Sequence, residues 1–184
     1  GRRTLTSGSR ADTTYELLES FARGVALAVD QLLPKPLLEW SISDIAALQA
    51  EVCRYSRKPE VSTRLGRVRN HPMFTEEDYC AANAWEAPQA LRLLIAWLRA
   101  RSQCVAAGSM HPLQLAVDFS FNHGAMHVWV RNAHSPSALL RPLPALDWQG
   151  DCHGRTGRIL QNIVMLKYGL PPFLMREQSH PDQR

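Results

Sequence analysis

The sequence predicts an all-α domain. Apolar residues recur at helical spacing in successive stretches, and proline, glycine or capping residues separate these stretches. Only residues 61–74 have the composition of a β segment. With 184 residues, 45% of them hydrophobic, the chain has the size of one globular domain. It contains no run of about 18 uncharged apolar residues, so the sequence predicts no membrane-spanning helix.

The first two predicted helices have recognisable ends. Residues 13–33 keep apolar residues at helical spacing until Pro34, which cannot continue a helix. Residues 43–55 form the second helix, and Ser41 and Asp44 give it a box-like start.

Four more helices are expected after a short β-capable loop. Residues 61–74, which contain a glycine and a proline, predict a loop or small hairpin. A capping signature at Thr75 opens the third helix, and Pro88 suits the first turn of the fourth. The fifth and sixth helices are predicted over residues 111–129 and 155–168, with a proline-bearing loop between them.

Composition shifts divide the chain into three parts. Residues 1–12 are small, polar and basic, so we expect a flexible N-terminal segment. Residues 13–172 form the folded domain, and residues 173–184 form a C-terminal tail. Eighteen of the 21 basic residues are arginines, but they are spread along the chain, which does not favour a nucleic-acid groove.

The cysteines predict free thiols. Their positions show no CxxC spacing, and a chain of this size builds a core without disulfides. We therefore expect a reducing compartment. The cysteines are Cys53, Cys80, Cys104 and Cys152.

Residues 151–158, with the sequence DCHGRTGR, lie where the last loop meets the last helix. The backbone N–H groups of a helix start favour an anion, and Arg155 and Arg158 add positive charge in the first turn. Asp151 beside a phosphate implies a bridging divalent cation. The alternative is a glycine-containing turn whose arginines are merely solvated.

This segment resembles a known family. Residues 151–172, DCHGRTGRILQNIVMLKYGLPP, resemble the C-terminal half of the Fic signature, HPFxDGNGRxxR followed by an apolar helix and a GLPP-like end. Residues 111–129, HPLQLAVDFSFNHGAMHVW, are similar to the family helix that ends in the catalytic histidine, which places His127 at that position. The likeness covers roughly residues 41–172. It implies a Fic-like helical bundle with a small β-hairpin flap near Arg67–Arg69.

The resemblance also implies an activity. Fic proteins of the AMPylation type transfer a nucleoside monophosphate from ATP or a related nucleotide to a Ser, Thr or Tyr hydroxyl of a target protein. His127 would take the hydroxyl proton, Asp151 would hold Mg²⁺, and the flap near Arg67–Arg69 would bind the target segment. The expected phosphate-binding residues are Cys152, His153, Gly154, Arg155 and Arg158. The resemblance further implies a bacterial toxin or effector, acting in the bacterial cytoplasm or in a host cytosol after secretion.

The sequence departs from the family pattern in its spacing. His127 precedes Asp151 by 24 positions, against four in the family, so this alignment requires an insertion. An alignment without insertion places Asp147 at the histidine position. Pro142 and Pro144 lie just before Asp147 and cannot sit inside a helix, which favours His127.

Two motif positions are also substituted. His153 replaces the family asparagine, and Cys152 replaces the first glycine, where a Cβ restricts the turn. These changes leave open a catalytically impaired Fic-fold module that binds nucleotide or a partner protein. A metal site that includes His123, His127 and His153 is a third reading, although HGAMH lacks the glutamate of HExxH.

Overall fold

A computed structural model describes residues 10–54, 66–68, 85–126 and 152–173, with the side chains described from Tyr15 onward. The expected helix at Thr75 and most of the expected hairpin over residues 61–74 lie outside these ranges. The helices are α1 (Arg10–Leu27), which continues into a π-helical turn (Ala28–Leu32), a 3₁₀ turn (Leu37–Glu39), α2 (Ile42–Val52), α3 (Ala87–Ala106), α4 (Pro112–Met126) and α5 (His153–Lys167).

The described ranges confirm the all-α prediction, since they contain no β-strand beyond a single bridge residue at Val68. None of their helices is both long enough and apolar enough to cross a membrane. The helix expected over residues 13–33 begins earlier, at Arg10, and ends in the π-helical turn, where the Leu33 N–H donates to the Ala28 carbonyl at 2.9 Å.

Local signals set several of the helix ends. At α2 the predicted box is present, because the Asp44 carboxylate accepts from the Ser41 N–H at 2.7 Å and the Ser41 hydroxyl accepts from the Asp44 N–H at 3.4 Å. Pro88 lies in the first turn of α3. Gly169 ends α5 at φ +71°, in the left-handed region that favours glycine.

The core lies between the helices, with α5 in contact with α1, α2 and α4. The pair α4 and α5 shares the most extensive packing among the described elements, and α1 packs along α2. Trp40, between the 3₁₀ turn and α2, is fully buried with its ring centroid 6.2 Å from that of Phe119 on α4.

A partly buried polar cluster lies at the C-terminal end of α5. The Lys167 ammonium donates to the Leu33 carbonyl at 2.7 Å and to the Lys35 carbonyl, and it lies 5.7 Å from the Trp40 ring centroid. Partial burial lowers the pKa of Lys167. The Trp40 indole N–H lies within hydrogen-bonding distance of the Leu32 and Lys35 carbonyls. The end of α5 is therefore attached to the turns that follow α1.

Helices α1 and α2 cross closely at Gly24. A Cβ added to this glycine would lie 2.5 Å from the Val52 Cγ2 and 3.4 Å from the Ile159 Cδ1. The missing side chain lets α1 approach both α2 and α5, because an ordinary carbon contact is 3.4–4 Å. This crossing lies one residue before Cys53, which follows α2.

Candidate functional site

The N-terminus of α5 carries the segment that the sequence singled out. Cys152 is its N-cap at φ 52° and ψ 14°, and the cap side chain makes no capping hydrogen bond. The Thr156 N–H donates to the Cys152 carbonyl at 2.8 Å, which starts the helical ladder. An α-helix leaves the N–H groups of its first turn without intrahelical acceptors, and its dipole is positive at this end. This is suitable geometry for an anion.

Cys152 adopts the conformation that a glycine would take at this position. It is the only non-glycine residue with a positive φ in the described ranges. A Cβ makes the left-handed region unfavourable by about 1–2 kcal/mol. We expected the Cβ of Cys152 to restrict this turn. The residue has a left-handed conformation, which glycine adopts without strain.

Cys152 is bonded to Cys53, the C-cap of α2, with a Cα–Cα distance of 6.1 Å across 99 positions of sequence. The expectation of free thiols is therefore wrong for this pair, and the reducing compartment inferred from free thiols loses that support. Two single cysteines so far apart carry no spacing signal, which is why the sequence did not pair them. Cys104 is free and partly exposed, and Cys80 lies outside the described residues.

Three predicted phosphate-binding residues lie together on the outer side of the first turns of α5. Gly154 and Arg158 are exposed, and Arg155 is partly exposed. The Arg158 Nη2 lies 3.9 Å from the point that a Cβ on Gly154 would occupy. The guanidinium is therefore turned back over the helix start, and the backbone at Gly154 is accessible beneath it.

His153 faces the opposite way. Its side chain is 2% exposed, and its ring centroid lies 5.9 Å from that of His123, which is fully buried on α4. The predicted phosphate contact of the His153 imidazole stays a prediction, and the structure places this ring at the interface between α4 and α5. Among the described residues no three His, Cys, Asp or Glu side chains form a group that could hold a metal ion.

The last turns of α4 lie against the first turns of α5. At Gly157 an added Cβ would lie 3.1 Å from the Ser120 Oγ and 3.6 Å from the His123 Nδ1. Thr156, which precedes Gly157 on α5, is fully buried. The described part of α4 extends to Met126, so its last turn lies near the N-terminus of α5.

Several predicted site residues lie outside the described ranges. They are His127, which directly follows Met126, Asp151, which directly precedes Cys152, and the alternative residue Asp147. The alternatives for the catalytic position therefore stay as the sequence left them.

Residues 66–68 are the described portion of the expected flap, and they lie against α2. The Gly66 N–H donates to the Gln49 Oε1 at 2.7 Å. Gly66 has φ +70°, and a Cβ there would lie 2.6 Å from the Ala46 carbonyl oxygen, so only glycine fits this approach. Val68 packs on the core and Arg67 is exposed, whereas Arg69 lies outside the described residues.

Sequence reasoning missed a groove between α1 and α5. Its volume is about 470 Å³, and apolar side chains dominate its lining, with Arg158 and Asn162 among the lining residues. Val25 of α1 and Val29 of the π-helical turn are about 40% exposed along it. The available signal was the apolar face of the first helix, because this face includes residues such as Val25 that are exposed in the structure.

Comparison with known proteins gives a structural result. No protein-family model and no curated protein matches the sequence. The structure resembles a Fic domain containing signaling protein from Bacteroides thetaiotaomicron, with a TM-score of 0.64, 18% identity, and coverage of 92% of this chain and 54% of that chain. It also resembles Fic-1 from C. elegans, with a TM-score of 0.60, 20% identity, and coverage of 92% and 41%. The chain thus spans about half the length of these structures or less, and it has the all-α fold of Fic domain proteins.

Proposed function

We propose that this domain is a protein nucleotidyltransferase of the AMPylation type. It would transfer a nucleoside monophosphate from ATP or a related nucleotide to a Ser, Thr or Tyr hydroxyl of a target protein. The observation that carries the proposal is the start of α5, where the Arg158 guanidinium lies over the exposed backbone of Gly154 within a Fic-like fold.

The described residues at the start of α5 suit the phosphates of a nucleoside triphosphate. A Cβ at Gly154 would meet no atom of the described residues closer than 3.9 Å, so within this part of the chain the backbone at Gly154 is accessible to a ligand. The helix dipole and two arginines supply positive charge, and arginine suits phosphate oxygens because its planar fork donates paired hydrogen bonds. Arg155 and Arg158 would therefore hold the phosphates and stabilise the charge that develops on the departing pyrophosphate.

The catalytic base in this proposal is His127. The last turns of α4 lie close to the start of α5, because the ring centroids of His123 and His153 are 5.9 Å apart. His127 is the residue after Met126, the last described residue of α4. This supports the alignment with an inserted loop, because the described part of α4, up to Met126, lies close to the start of α5. An imidazole that titrates near neutrality suits the removal of a hydroxyl proton.

The reaction balances without a covalent enzyme intermediate. The target hydroxyl oxygen forms a bond to the α-phosphorus, its proton passes to His127, and the bond to the β-phosphate oxygen breaks to release pyrophosphate. Asp151, next to the N-cap of α5, would hold Mg²⁺. When bound, that ion would neutralise charge on the phosphates.

Target binding is assigned to the segment near Arg67–Arg69. Its described residues lie against α2 through the bond from Gly66 to Gln49, and Arg67 is exposed. We propose that an extended target segment binds along this backbone. Action as a bacterial toxin or effector, in the bacterial cytoplasm or a host cytosol, belongs to the same proposal.

A second function is favoured by a different observation. His153 stands where the family has an asparagine, and its ring is buried against His123. A site without that neutral amide donor would hold nucleotide less firmly in the reactive position. The second candidate is therefore a Fic-fold module that binds nucleotide or a partner protein without transfer.

Labelled ATP separates these two functions. The protein is incubated with Mg²⁺, a cell lysate, and ATP labelled at either the α- or the γ-phosphate, as wild type, His127→Ala and Asp147→Ala. Transfer of α-label only, lost in His127→Ala and kept in Asp147→Ala, supports the first proposal. Loss only in Asp147→Ala would overturn the assignment of His127.

A binding assay tests the anion site itself. Titration calorimetry with ATP should show about tenfold or greater weakening in Arg158→Ala, because a charged hydrogen bond to phosphate is lost. Arg92→Ala is the matched control, since Arg92 is an exposed arginine on α3 that hydrogen-bonds to Gln89. ATP binding without any label transfer favours the second function, and equal affinities in both variants would contradict the anion site.

A further inference from the structure

The bond between Cys53 and Cys152 joins the C-terminal end of α2 to the N-terminal end of α5. Both cysteines are buried, at 0% and 3% exposure. Cys53 continues the α2 ladder, with its N–H donating to the Gln49 carbonyl at 3.0 Å. The strained N-cap of α5 is thus tied to a regular helix end.

We propose that the Cys53–Cys152 disulfide is a redox-sensitive latch that holds the α5 N-cap in its left-handed conformation and so sets the affinity of the α5 start for phosphate. This inference rests on the proposed function. Cys53 is then a positioning residue, because it acts on the phosphate site only through Cys152.

The physical reason lies in the backbone of Cys152. At φ 52° a residue with a Cβ is in a sparsely populated conformation, and the tie to Cys53 limits the alternatives open to it. After reduction the residue is free to relax toward negative φ. That rotation redirects the N–H groups of residues 153–155, which are the groups that an anion would meet.

The latch also reaches the expected target-binding segment. The Gln49 side chain donates to the Cys53 sulfur at 3.2 Å and accepts from the Gly66 N–H at 2.7 Å. Gln49 is itself buried. The Gln49 side chain therefore couples Cys53 to residues 66–68. The Cys53–Cys152 disulfide thus supports both the proposed phosphate site at the start of α5 and the proposed target-binding segment.

The chemical step is thiol–disulfide exchange with a small dithiol. The dithiol supplies two electrons and two protons, the S–S bond breaks, Cys53 and Cys152 each become a thiol, and the dithiol becomes a cyclic disulfide. Because both sulfurs are buried, the exchange requires local opening, and a small dithiol should act faster than a protein reductant.

The first measurement is direct. Non-reduced protein is alkylated in denaturant, digested and analysed by mass spectrometry, and a peptide pair joined through Cys53 and Cys152 should disappear on treatment with dithiothreitol. Amide hydrogen exchange of residues 153–156 is then compared in the two states, without nucleotide. Faster exchange after reduction is expected. Absence of the joined peptides, or unchanged exchange, would overturn the latch.

The second measurement is ATP affinity in both states. Reduction should weaken ATP binding by about tenfold in the wild type and in the control Cys104→Ser, which keeps the bond. Cys53→Ser should bind like the reduced protein in both states. Cys152→Gly should bind ATP more tightly than Cys53→Ser and should not respond to the reductant, because glycine takes the left-handed conformation without the disulfide.

The variants separate the latch from simple stabilisation. Cys53→Ser and Cys152→Gly both lack the bond, so equal ATP affinity in the two would contradict a role for the N-cap conformation. If no variant binds ATP, the proposed function fails, while the exchange data of residues 153–156 still decide whether the bond holds the helix start.

Discussion

Replacement of Gly24 by alanine tests how closely α1 and α2 cross. The added Cβ would lie 2.5 Å from the Val52 Cγ2, about 1 Å inside an ordinary contact. Val52 is fully buried and β-branched, so its side chain has few rotamers into which it can move. The helix must shift or the valine must leave its rotamer.

Two terms set the size of the effect. Alanine in place of glycine inside a helix stabilises it by about 1 kcal/mol, whereas inserting a methyl group into a packed core costs about 1–3 kcal/mol. We therefore expect Gly24→Ala to be neutral or to destabilise the fold by up to about 2 kcal/mol.

Gly124→Ala is the matched control. Gly124 lies within α4, and a Cβ there would meet no atom of the described residues within 4 Å, so this variant should gain the helix-propensity term alone. The difference in unfolding free energy between the two variants then isolates the packing cost at Gly24. It should be about 1–3 kcal/mol, or roughly 2–12 °C in Tm for a chain of this size.

The assay is urea unfolding followed by far-ultraviolet circular dichroism. Adding Val52→Ala to Gly24→Ala should cost less than Val52→Ala costs in the wild-type background, with a coupling of about 0.5–3 kcal/mol. If Gly24→Ala stabilises the protein as much as Gly124→Ala does, the close crossing at this position is refuted.

Three further perturbations have defined outcomes. Burial raises the pKa of Asp44, but hydrogen bonds from Lys35 and the α2 cap outweigh it and hold that pKa below the usual value. The stabilisation from the Asp44 carboxylate should therefore be present above about pH 4 and should be lost as pH falls through the lowered pKa. Urea unfolding from pH 7 to 2 measures this loss, and the Asp44→Asn variant should not show it. Lys167→Met removes the ammonium that donates to the Leu33 carbonyl and leaves the Lys35 carbonyl with the Trp40 indole N–H alone. It should cost about 1–3 kcal/mol by thermal unfolding, and a cost near zero would contradict the cluster. Gly157→Val should destabilise the fold more than Gly157→Ala, because one added carbon already lies 3.1 Å from the Ser120 Oγ, and equal urea midpoints would show that α4 and α5 are not in close contact there.

The features predicted from sequence are those that neighbouring residues determine. The box of Ser41 and Asp44, the proline in the first turn of α3 and the glycine that ends α5 each act within about four residues. The exposed positions of Gly154 and Arg158 follow in the same way from helical spacing.

The features that sequence did not predict depend on distant segments. The pairing of Cys53 with Cys152 spans 99 positions, and the burial of His153 depends on His123 from another helix. The π-helical end of α1 also has no local signal in the sequence, and Leu33, which follows it, accepts a hydrogen bond from Lys167 of α5 through its carbonyl. Tertiary packing decides each of these, and residue spacing within one segment does not contain that information.

The first turn of α5 contains both kinds of feature, those set by neighbouring residues and those set by distant segments. Its structure therefore shows what the motif substitutions change. Cys152 and His153, the positions that differ from the Fic signature, are almost fully buried and face α2 and α4. Of the described positions that agree with it, Gly154 and Arg158 are exposed and Arg155 is partly exposed. The two substituted positions therefore contact neighbouring helices, whereas residues that match the signature form the exposed surface at the start of α5. If this surface binds phosphate as proposed, the substitutions act on it through the position of the helix start.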